Sequence, residues 1–409
     1  MNIELRAVTE DEYPEFARVA EGAFGFHLTR EVREQHRAST ELDRTIGAFE
    51  GSELLATAGA FSLELTLPGG RLEPAAGVTA VAVRNTHRRR GLLREMMDHQ
   101  LDDVADRGEC MALLTASEGS IYRRFGYGPA SYGASWTIDT AEVAVHERPD
   151  TGGRLRQVTR TEAITLLPAV YERCRPGIVG AINRPAAWWD FYFTDHEFDR
   201  DGASARFYVI HESDEGAANG LLAFRQRRSW PNGLAGNTIV IDELHGATPE
   251  IDAALWLYAI DHDLVATVEA SDRPVDETIR WWLTNPRRLV CTDLVDRLWV
   301  RPLDIARTLA ARTYRTDDAL VLGIVDPFRP ANDGAYLVRG GPDGTEAERC
   351  TRAPDLSMDV AELGSIYLGG VTTTSLARAG RLAEHSPGAL ARADAFFGTS
   401  PLPWLTTGF

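Results

Sequence analysis

Three consecutive arginines and a glycine, Arg88-Arg89-Arg90-Gly91, separate an apolar stretch from a helical one. The preceding residues, Val78-Thr-Ala-Val-Ala-Val83, are small or β-branched and predict a buried strand. After the turn, Leu92, Leu93, Met96, Met97 and Leu101 recur at helical spacing. A strand that feeds a glycine turn and opens a helix is suited to hold a phosphate. The first helical turn leaves N–H groups without intrahelical partners, and the helix dipole favours negative charge there. Gly91 lets the backbone approach an anion with no Cβ in the way, and guanidinium groups add charge-assisted hydrogen bonds to phosphate oxygens. The competing reading is a solvated basic turn ahead of an amphipathic helix. Against a formal net charge of −17, three adjacent arginines favour a phosphate-bearing ligand.

The same charge argues against nucleic acid or anionic membrane as a partner, and for cationic or amine-bearing ones. No lysine occurs anywhere, so all 43 residues counted as Lys or Arg are arginine. That excludes Schiff-base chemistry and the lysines of Walker and kinase sites. Cys110, Cys174, Cys291 and Cys350 are far apart and form no Cys-x-x-Cys pair. A disulfide-free chain with no metal site is expected. The N-terminus lacks a signal pattern and no apolar run reaches membrane-spanning length, which predicts a soluble cytoplasmic protein.

These groups must be positioned by a chain of 409 residues, enough for two to four domains. Residues 3–8 alternate as a strand, and Thr9 with Glu12 forms a capping-box pattern opening a helix through about Phe24. A second helix is predicted at 30–38, strands at 45–49 and 54–67, and a third strand ending at Val83. The helix after Gly91 ends near Gly108; a short strand (110–115) and a short helix (117–125) follow. The order gives a mixed α/β sheet. After a Pro/Gly-rich linker, Arg156-Gln-Val-Thr159 repeats Arg6-Ala-Val-Thr9. Strands at 206–210, 220–227 and 238–244 and a helix at 251–261 then follow in the same order. This predicts a second copy of the fold, with Gly246-Ala-Thr-Pro-Glu250 where the basic turn would be, and hence without the ligand. From Trp299 a small α+β domain is predicted: helices at 303–313, 361–367 and 376–383, strands at 320–325, 335–339 and 355–360. The domains expected are 1–148, 149–298 and 299–409. The proline-stiffened apolar end, Pro401-Leu-Pro-Trp-Leu-Thr-Thr-Gly-Phe409, is expected to dock rather than fray.

Val81-x-Val83 followed by Arg88-x-x-Gly91 resembles the acetyl-coenzyme A signature of GNAT N-acetyltransferases, with Leu93 at the signature's last small position. Three stretches resemble the Eis N-acetyltransferases of actinobacteria: Thr86-His-Arg-Arg-Arg-Gly-Leu-Leu-Arg94, Ala116-Ser-Glu-Gly-Ser-Ile-Tyr-Arg-Arg-Phe-Gly-Tyr-Gly-Pro129 and Gly364-Ser-Ile-Tyr-Leu-Gly369. The resemblance implies tandem GNAT domains, the second without cofactor, then a sterol-carrier-protein-like domain, assembled as a homohexamer. It also implies acetyl-coenzyme A as co-substrate and an amine-bearing small molecule as acceptor.

By the same resemblance, the backbone of Val81, Ala82 and Val83 pairs with the pantetheine arm, and Arg88, Arg89, Arg90, Gly91 and Leu92 surround the pyrophosphate. Arg90 and Arg94 have a solvated role as the alternative. Ser117 either helps place the cofactor or caps the helix that follows it. Tyr122 matches the family's general acid: a phenol with a pKa near ~10 stays protonated at neutral pH and can supply the departing thiolate with a proton. Such acid catalysis contributes roughly 10²–10⁴-fold. The free carboxylate of Phe409 resembles the family's base, although a pKa near ~3.5 makes it weak in water. Family members that acetylate aminoglycosides carry an aspartate two residues after a first-helix phenylalanine and a glutamate before the terminal one. This chain has Phe24-Gly25-Phe26 and Gly408-Phe409 instead. The acceptor pocket is therefore expected to be more aromatic and less acidic, unless Glu21, Glu31, Glu34 or Glu41 compensates. The alternatives to a small-molecule acetyltransferase are a protein or peptide N-acetyltransferase and a non-catalytic ligand-binding scaffold.

Overall fold

The computed structural model describes residues 3–409. The first third runs β1 (Ile3–Arg6), α1 (Tyr13–Phe24), α2 (Arg30–Ser39), β2 (Thr45–Glu50), β3 (Glu53–Thr66), β4 (Leu72–Val83), α3 (Leu92–Asp106), β5 (Met111–Leu114), α4 (Gly119–Tyr122) and β6 (Gly128–Pro129). The middle contains β7 (Tyr132–Asp139), β8 (Gly153–Val158), α5 (Arg160–Cys174), α6 (Ala186–Thr194), β9 (Phe207–Ser213), β10 (Ala218–Arg227), β11 (Asn237–Gly246), α7 (Pro249–Ile260), β12 (Val265–Arg273), α8 (Ile279–Trp282) and β13 (Leu289–Asp296). The last part contains β14 (Trp299–Pro302), α9 (Ile305–Ala311), β15 (Asp318–Val325), β16 (Gly334–Gly341), β17 (Gly344–Cys350), β18 (Leu356–Asp359), α10 (Val360–Ile366), α11 (Thr373–Arg378), β19 (Leu382–Glu384) and α12 (Ala389–Phe397).

Three mixed sheets result, ordered β1-β2-β3-β4-β5-β14-β6, β13-β7-β12-β11-β10-β9-β8 and β17-β16-β15-β18-β19. Read from opposite ends, the first two have the same order of corresponding strands, so the fold copy expected from the repeated Arg-x-Val-Thr is present. The echo has a physical cause. Thr9 and Glu12 form a reciprocal capping box, and Arg6 grips the Glu12 carboxylate at 2.6 and 2.8 Å. Thr159 and Glu162 form the same box, with Arg156 on Glu162 at 2.7 Å. Each arginine ties the entering strand to the glutamate that caps the next helix.

The chain divides into two compact units. One contains residues 3–131 together with Asp296–Pro403 and Thr407–Phe409; the other is Tyr132–Val295 with Trp404–Thr406. Sheet membership departs from divisions at 148/149 and 298/299. β7 pairs β12 in the second sheet, while β14 pairs β5 and β6 in the first. These strands satisfy backbone groups far away in sequence, which local patterning does not register. The helix expected at 376–383 is α11 followed by a turn and β19, because Gly380 takes a φ of +71° and breaks it.

Within the first unit, two of the motif stretches meet. A Cβ on Gly128 would lie 1.8 Å from the Ala361 carbonyl, and one on Gly364 would lie 2.3 Å from that of Val300. These glycines let α10 lie directly on β6 and β14. Arg123, next to Tyr122, reinforces the contact by pairing with the buried Glu362 at 2.6 Å. The third sheet's core is filled with aromatic rings, Tyr314 stacking on Phe396 at 3.9 Å beside the buried Arg312.

Candidate functional site

The site begins where the first sheet opens. β4 and β5 are parallel neighbours at only two positions, Ala76 with Ala112 and Gly77 with Leu113. β4 then continues to Val83 beyond that pairing. Its other edge stays on β3 but slips register between Thr57 and Gly59, with Ala80 at a φ of +52°. This bulge bends the strand away from β5, and the Thr57 hydroxyl holds it by donating to the Ala80 carbonyl at 2.9 Å. Val81 is half-buried and Ala82 buried; Val81 packs against the core beside Leu93. Their side chains are core, which leaves backbone as what this edge offers.

The basic turn follows. Arg89 (φ +65°) and Gly91 (φ +91°) are both left-handed. Gly91 is the N-cap of α3 and no side chain caps that end. A Cβ on Gly91 would meet only Glu95 Oε1, at 3.7 Å, so the approach to the helix end is open. Arg88, Arg89 and Arg90 are exposed, whereas Leu92 is buried and anchors the helix. Arg94 lies over the Phe328 ring at 4.9 Å and is committed to packing. The corresponding helix of the second sheet differs. The Thr248 hydroxyl caps α7 by accepting from the Ile251 N–H, and Asp252 accepts from Gly246 N–H at 2.6 Å. The chain's own side chains occupy that helix entrance.

Beyond β5 come Thr115, Ser117 and Tyr122. The Tyr122 side chain is buried, lies beside the Ser117 hydroxyl and packs edge-on against Tyr127 at 6.1 Å. Burial raises its pKa above the usual phenol value, and the Ser117 hydroxyl opposes this in part. The N-cap of α4 is Glu118, not Ser117. Ser117 therefore contacts the tyrosine rather than capping the helix. Phe409 reaches the same strand ends: Thr115 Oγ1 donates to the Phe409 backbone oxygen at 3.0 Å. A Cβ on Gly77, where β4 leaves β5, would lie 3.1 Å from Phe409 Cε2, so the absence of a side chain there leaves room for the ring.

Phe24 and Phe26 flank Gly25, the left-handed C-cap of α1. Each is 46% exposed, and their rings stack with centroids 6.3 Å apart. The carboxylates that were to compensate are engaged elsewhere. Glu21 is buried and held by Arg33 at 2.8 and 3.0 Å, Glu34 pairs with Arg30 at 2.7 Å, and Glu41 accepts from Ser62. Glu31 bonds to Thr29 and to its own backbone. Among the described residues no His, Cys, Asp and Glu cluster could hold a metal ion, and no helix is long and apolar enough to cross a membrane.

Residues 4–130 match one GNAT acetyltransferase domain family, 180–302 a second, and 305–406 a sterol carrier protein domain. An uncharacterized N-acetyltransferase of Streptomyces coelicolor is 40% identical over 416 aligned positions, with both chains covered completely. The N-acetyltransferase Eis of Mycobacterium tuberculosis is 32% identical, with 97% of each chain covered. The crystal structure of Eis1 from Mycobacterium abscessus superimposes with a TM-score of 0.89 at 34% identity, covering 99% of this chain and 100% of that one. The chain belongs to the Eis family of GNAT N-acetyltransferases. A GNAT protein from Anabaena variabilis, 18% identical with a TM-score of 0.85, shares the fold. The Eis-family architecture is that of two GNAT domains and a sterol-carrier-protein-like domain, in α/β and α+β sheets.

Three contributors to this site carry no local signal in the sequence. Thr115 is an ordinary residue ending an apolar strand, the Ala80 bulge has no glycine to announce it, and Gly77 reads as a small strand residue.

Proposed function

We propose that this Eis-family chain transfers acetyl from acetyl-coenzyme A to an amine of a small molecule by direct attack. The observation that carries this is one convergence. A run of β4 unpaired with β5, an uncapped helix end beside three exposed arginines, and the Phe409 backbone oxygen bonded to Thr115 all belong to the diverging ends of β4 and β5. The residues fit the co-substrate. The backbone of Val81, Ala82 and Val83 is an edge along which an amide-bearing pantetheine arm can add like a strand. Arg88, Arg89 and Arg90, with the N–H groups near Gly91 and Leu92, offer charge and donors to a pyrophosphate.

In the chemical step the amine nitrogen attacks the thioester carbonyl carbon; the C–N bond forms and the C–S bond breaks. Tyr122 gives its phenolic proton to the departing thiolate and is reprotonated from solvent. Ser117, beside Tyr122, holds the donor in place. The acceptor attacks as the neutral amine, and the one proton it sheds goes to the Phe409 carboxylate, which also orients the amine nitrogen. Phe24 and Phe26 supply an aromatic face for the acceptor. The co-substrate arrangement, a cytoplasmic location and a homohexameric assembly belong to the same proposal.

The test is thiol release from acetyl-coenzyme A across a panel of small amines and a lysine-bearing peptide, with coenzyme A thermal shifts alongside. The expected result is turnover with at least one small amine that falls about 10²-fold or more in Tyr122→Phe, and a coenzyme A shift that Arg88→Ala reduces. Turnover with the peptide alone would replace the acceptor class. No coenzyme A shift at all would remove the enzyme reading.

A further inference from the structure

The second fold copy keeps the strand split of the first and fills it. β11 and β12 pair in parallel from Asn237 and Val265 to Ile241 and Ala270. β11 then runs on to Gly246 and β12 to Arg273. The chain's own residues Trp404–Thr406, which belong to this unit, touch both diverging ends. On the β12 side, the Trp404 indole N–H donates to the Asp272 carbonyl, and the Arg273 guanidinium lies 4.8 Å from the indole centroid. On the β11 side, the indole stacks on His245 at 5.3 Å. The backbone is held too: Trp404 N–H donates to the Val179 carbonyl at 2.7 Å. Gly180, at a φ of +91°, leaves only 3.2 Å between a Cβ and the Trp404 backbone.

Thr406 closes the arrangement. Its hydroxyl lies 2.6 Å from the Tyr171 phenol, and its carbonyl accepts from Arg184 at 3.0 Å. Arg184 is itself fixed by two hydrogen bonds to Glu243, at 2.8 and 3.1 Å, and His245 lies 2.9 Å from that carboxylate. A buried charged network of this kind is costly unless every member is satisfied. Here the tail serves Arg184 through the Thr406 carbonyl and packs its indole on His245, whose Nδ1 is buried without a hydrogen-bond partner.

We propose that this split is a receptor for the chain's own tail, and that Trp404 and Thr406, with Tyr171, Arg184 and His245, are positioning residues for the Phe409 carboxylate. The inference rests on the acetyltransferase reading for what the carboxylate does, but not for the docking itself. Only Thr407 and Gly408 separate Thr406 from Phe409, a span of at most about 10 Å for three residues of extended chain. Pro403 packs at Gly370, so without the receptor the stretch between the preceding anchor and Phe409 would lengthen from about three residues to about six. On the −3/2 power law the local concentration of the carboxylate would then fall roughly threefold. Loss of alignment adds to that, since a misplacement of about 1 Å can cost up to about 10²-fold.

The experiment uses the full-length chain with Trp404→Ala and Trp404→Phe, the second keeping an aromatic ring for His245 and Arg273. One readout ignores catalysis: the rate at which carboxypeptidase releases the last residues. Release is expected to be slow in the parent, several-fold faster in Trp404→Ala, and close to the parent in Trp404→Phe. In thiol release, kcat should fall between about threefold and about 10²-fold in Trp404→Ala, recover in Trp404→Phe, and leave the coenzyme A thermal shift unchanged. Equal carboxypeptidase rates in all three proteins would overturn the docking. Faster release with kcat unchanged would overturn the positioning role, and so would a fall in kcat matched by loss of the coenzyme A shift. A parent with slow release but no turnover on any amine would overturn the acetyltransferase reading and leave the docking standing.

Discussion

Replacing Thr115 by valine keeps the shape of the side chain and removes one hydroxyl. That hydroxyl donates to the Phe409 backbone oxygen at 3.0 Å, the long end of the O–H···O range, and in the proposed mechanism this acceptor is charged. Such bonds contribute about 1.5–3 kcal/mol. Thr115 is only half-buried, so water replaces part of the interaction and the lower figure, about 1.5 kcal/mol, applies. If the carboxylate receives the amine's proton, its placement counts in the transition state, and about 1.4 kcal/mol corresponds to tenfold in rate. The expected outcome is a roughly tenfold fall in kcat for thiol release with an accepted amine. The coenzyme A thermal shift should not change, because Thr115 does not belong to the phosphate turn. Thr115→Ser restores the donor and should recover most of the rate. A Thr115→Val enzyme within about twofold of the parent would refute the reasoning, as would a serine variant no better than the valine one.

Three further predictions follow from the geometry. Burial raises the Tyr122 pKa, so its neutral, proton-donating form persists to higher pH than an ordinary phenol; a kcat/KM profile should show no loss assignable to Tyr122 below about pH 10. Gly128→Ala would drive a Cβ to 1.8 Å from the Ala361 carbonyl, so backbone must move; a loss of about 1–3 kcal/mol or more is expected, read as a melting temperature lower by several degrees. Glu243 is held at about 2 despite burial that opposes ionisation, because Arg184 and His245 stabilise the carboxylate. A depressed folded-state value means this stabilisation is present above the ordinary carboxylate pKa and is lost as pH falls toward 2. The melting-temperature gap between the parent and Glu243→Gln should therefore be widest near neutrality, narrow below about pH 4.5 and close near pH 2.

Much of the site is legible in the order of residues, because it is built from local signals. The basic turn needs a left-handed glycine at a helix start, and Gly91 supplies it. The capping boxes at Thr9 and Thr159 need only residues three apart. The glycines at 128 and 364 mark motifs, although their reason for being glycine emerges only when α10 is seen lying against β6 and β14. By contrast, β17 and α12 leave no clear pattern in the sequence, since β17 alternates without strong apolar residues and four of the nine residues of α12 are alanine. The aromatic acceptor face expected from Phe24 and Phe26 is exposed and stacked, but the neutralising partner of Glu21 is Arg33 on the next helix, and no spacing rule would have paired them.

By itself, then, the amino-acid sequence determined the basic glycine turn at a helix start, the duplication, the three-part build and the family. Each of these is written in contacts between near neighbours or in motifs read along the chain. Only the tertiary structure decided that β7 and β14 join sheets beyond their own segments. It alone showed that the second strand split is filled by Trp404–Thr406, and that the Phe409 backbone oxygen meets Thr115 across 294 residues of sequence. Pairings at such separation are set by which backbone edges and cavities remain open once everything else has packed, and that is a property of the folded whole rather than of any window along it.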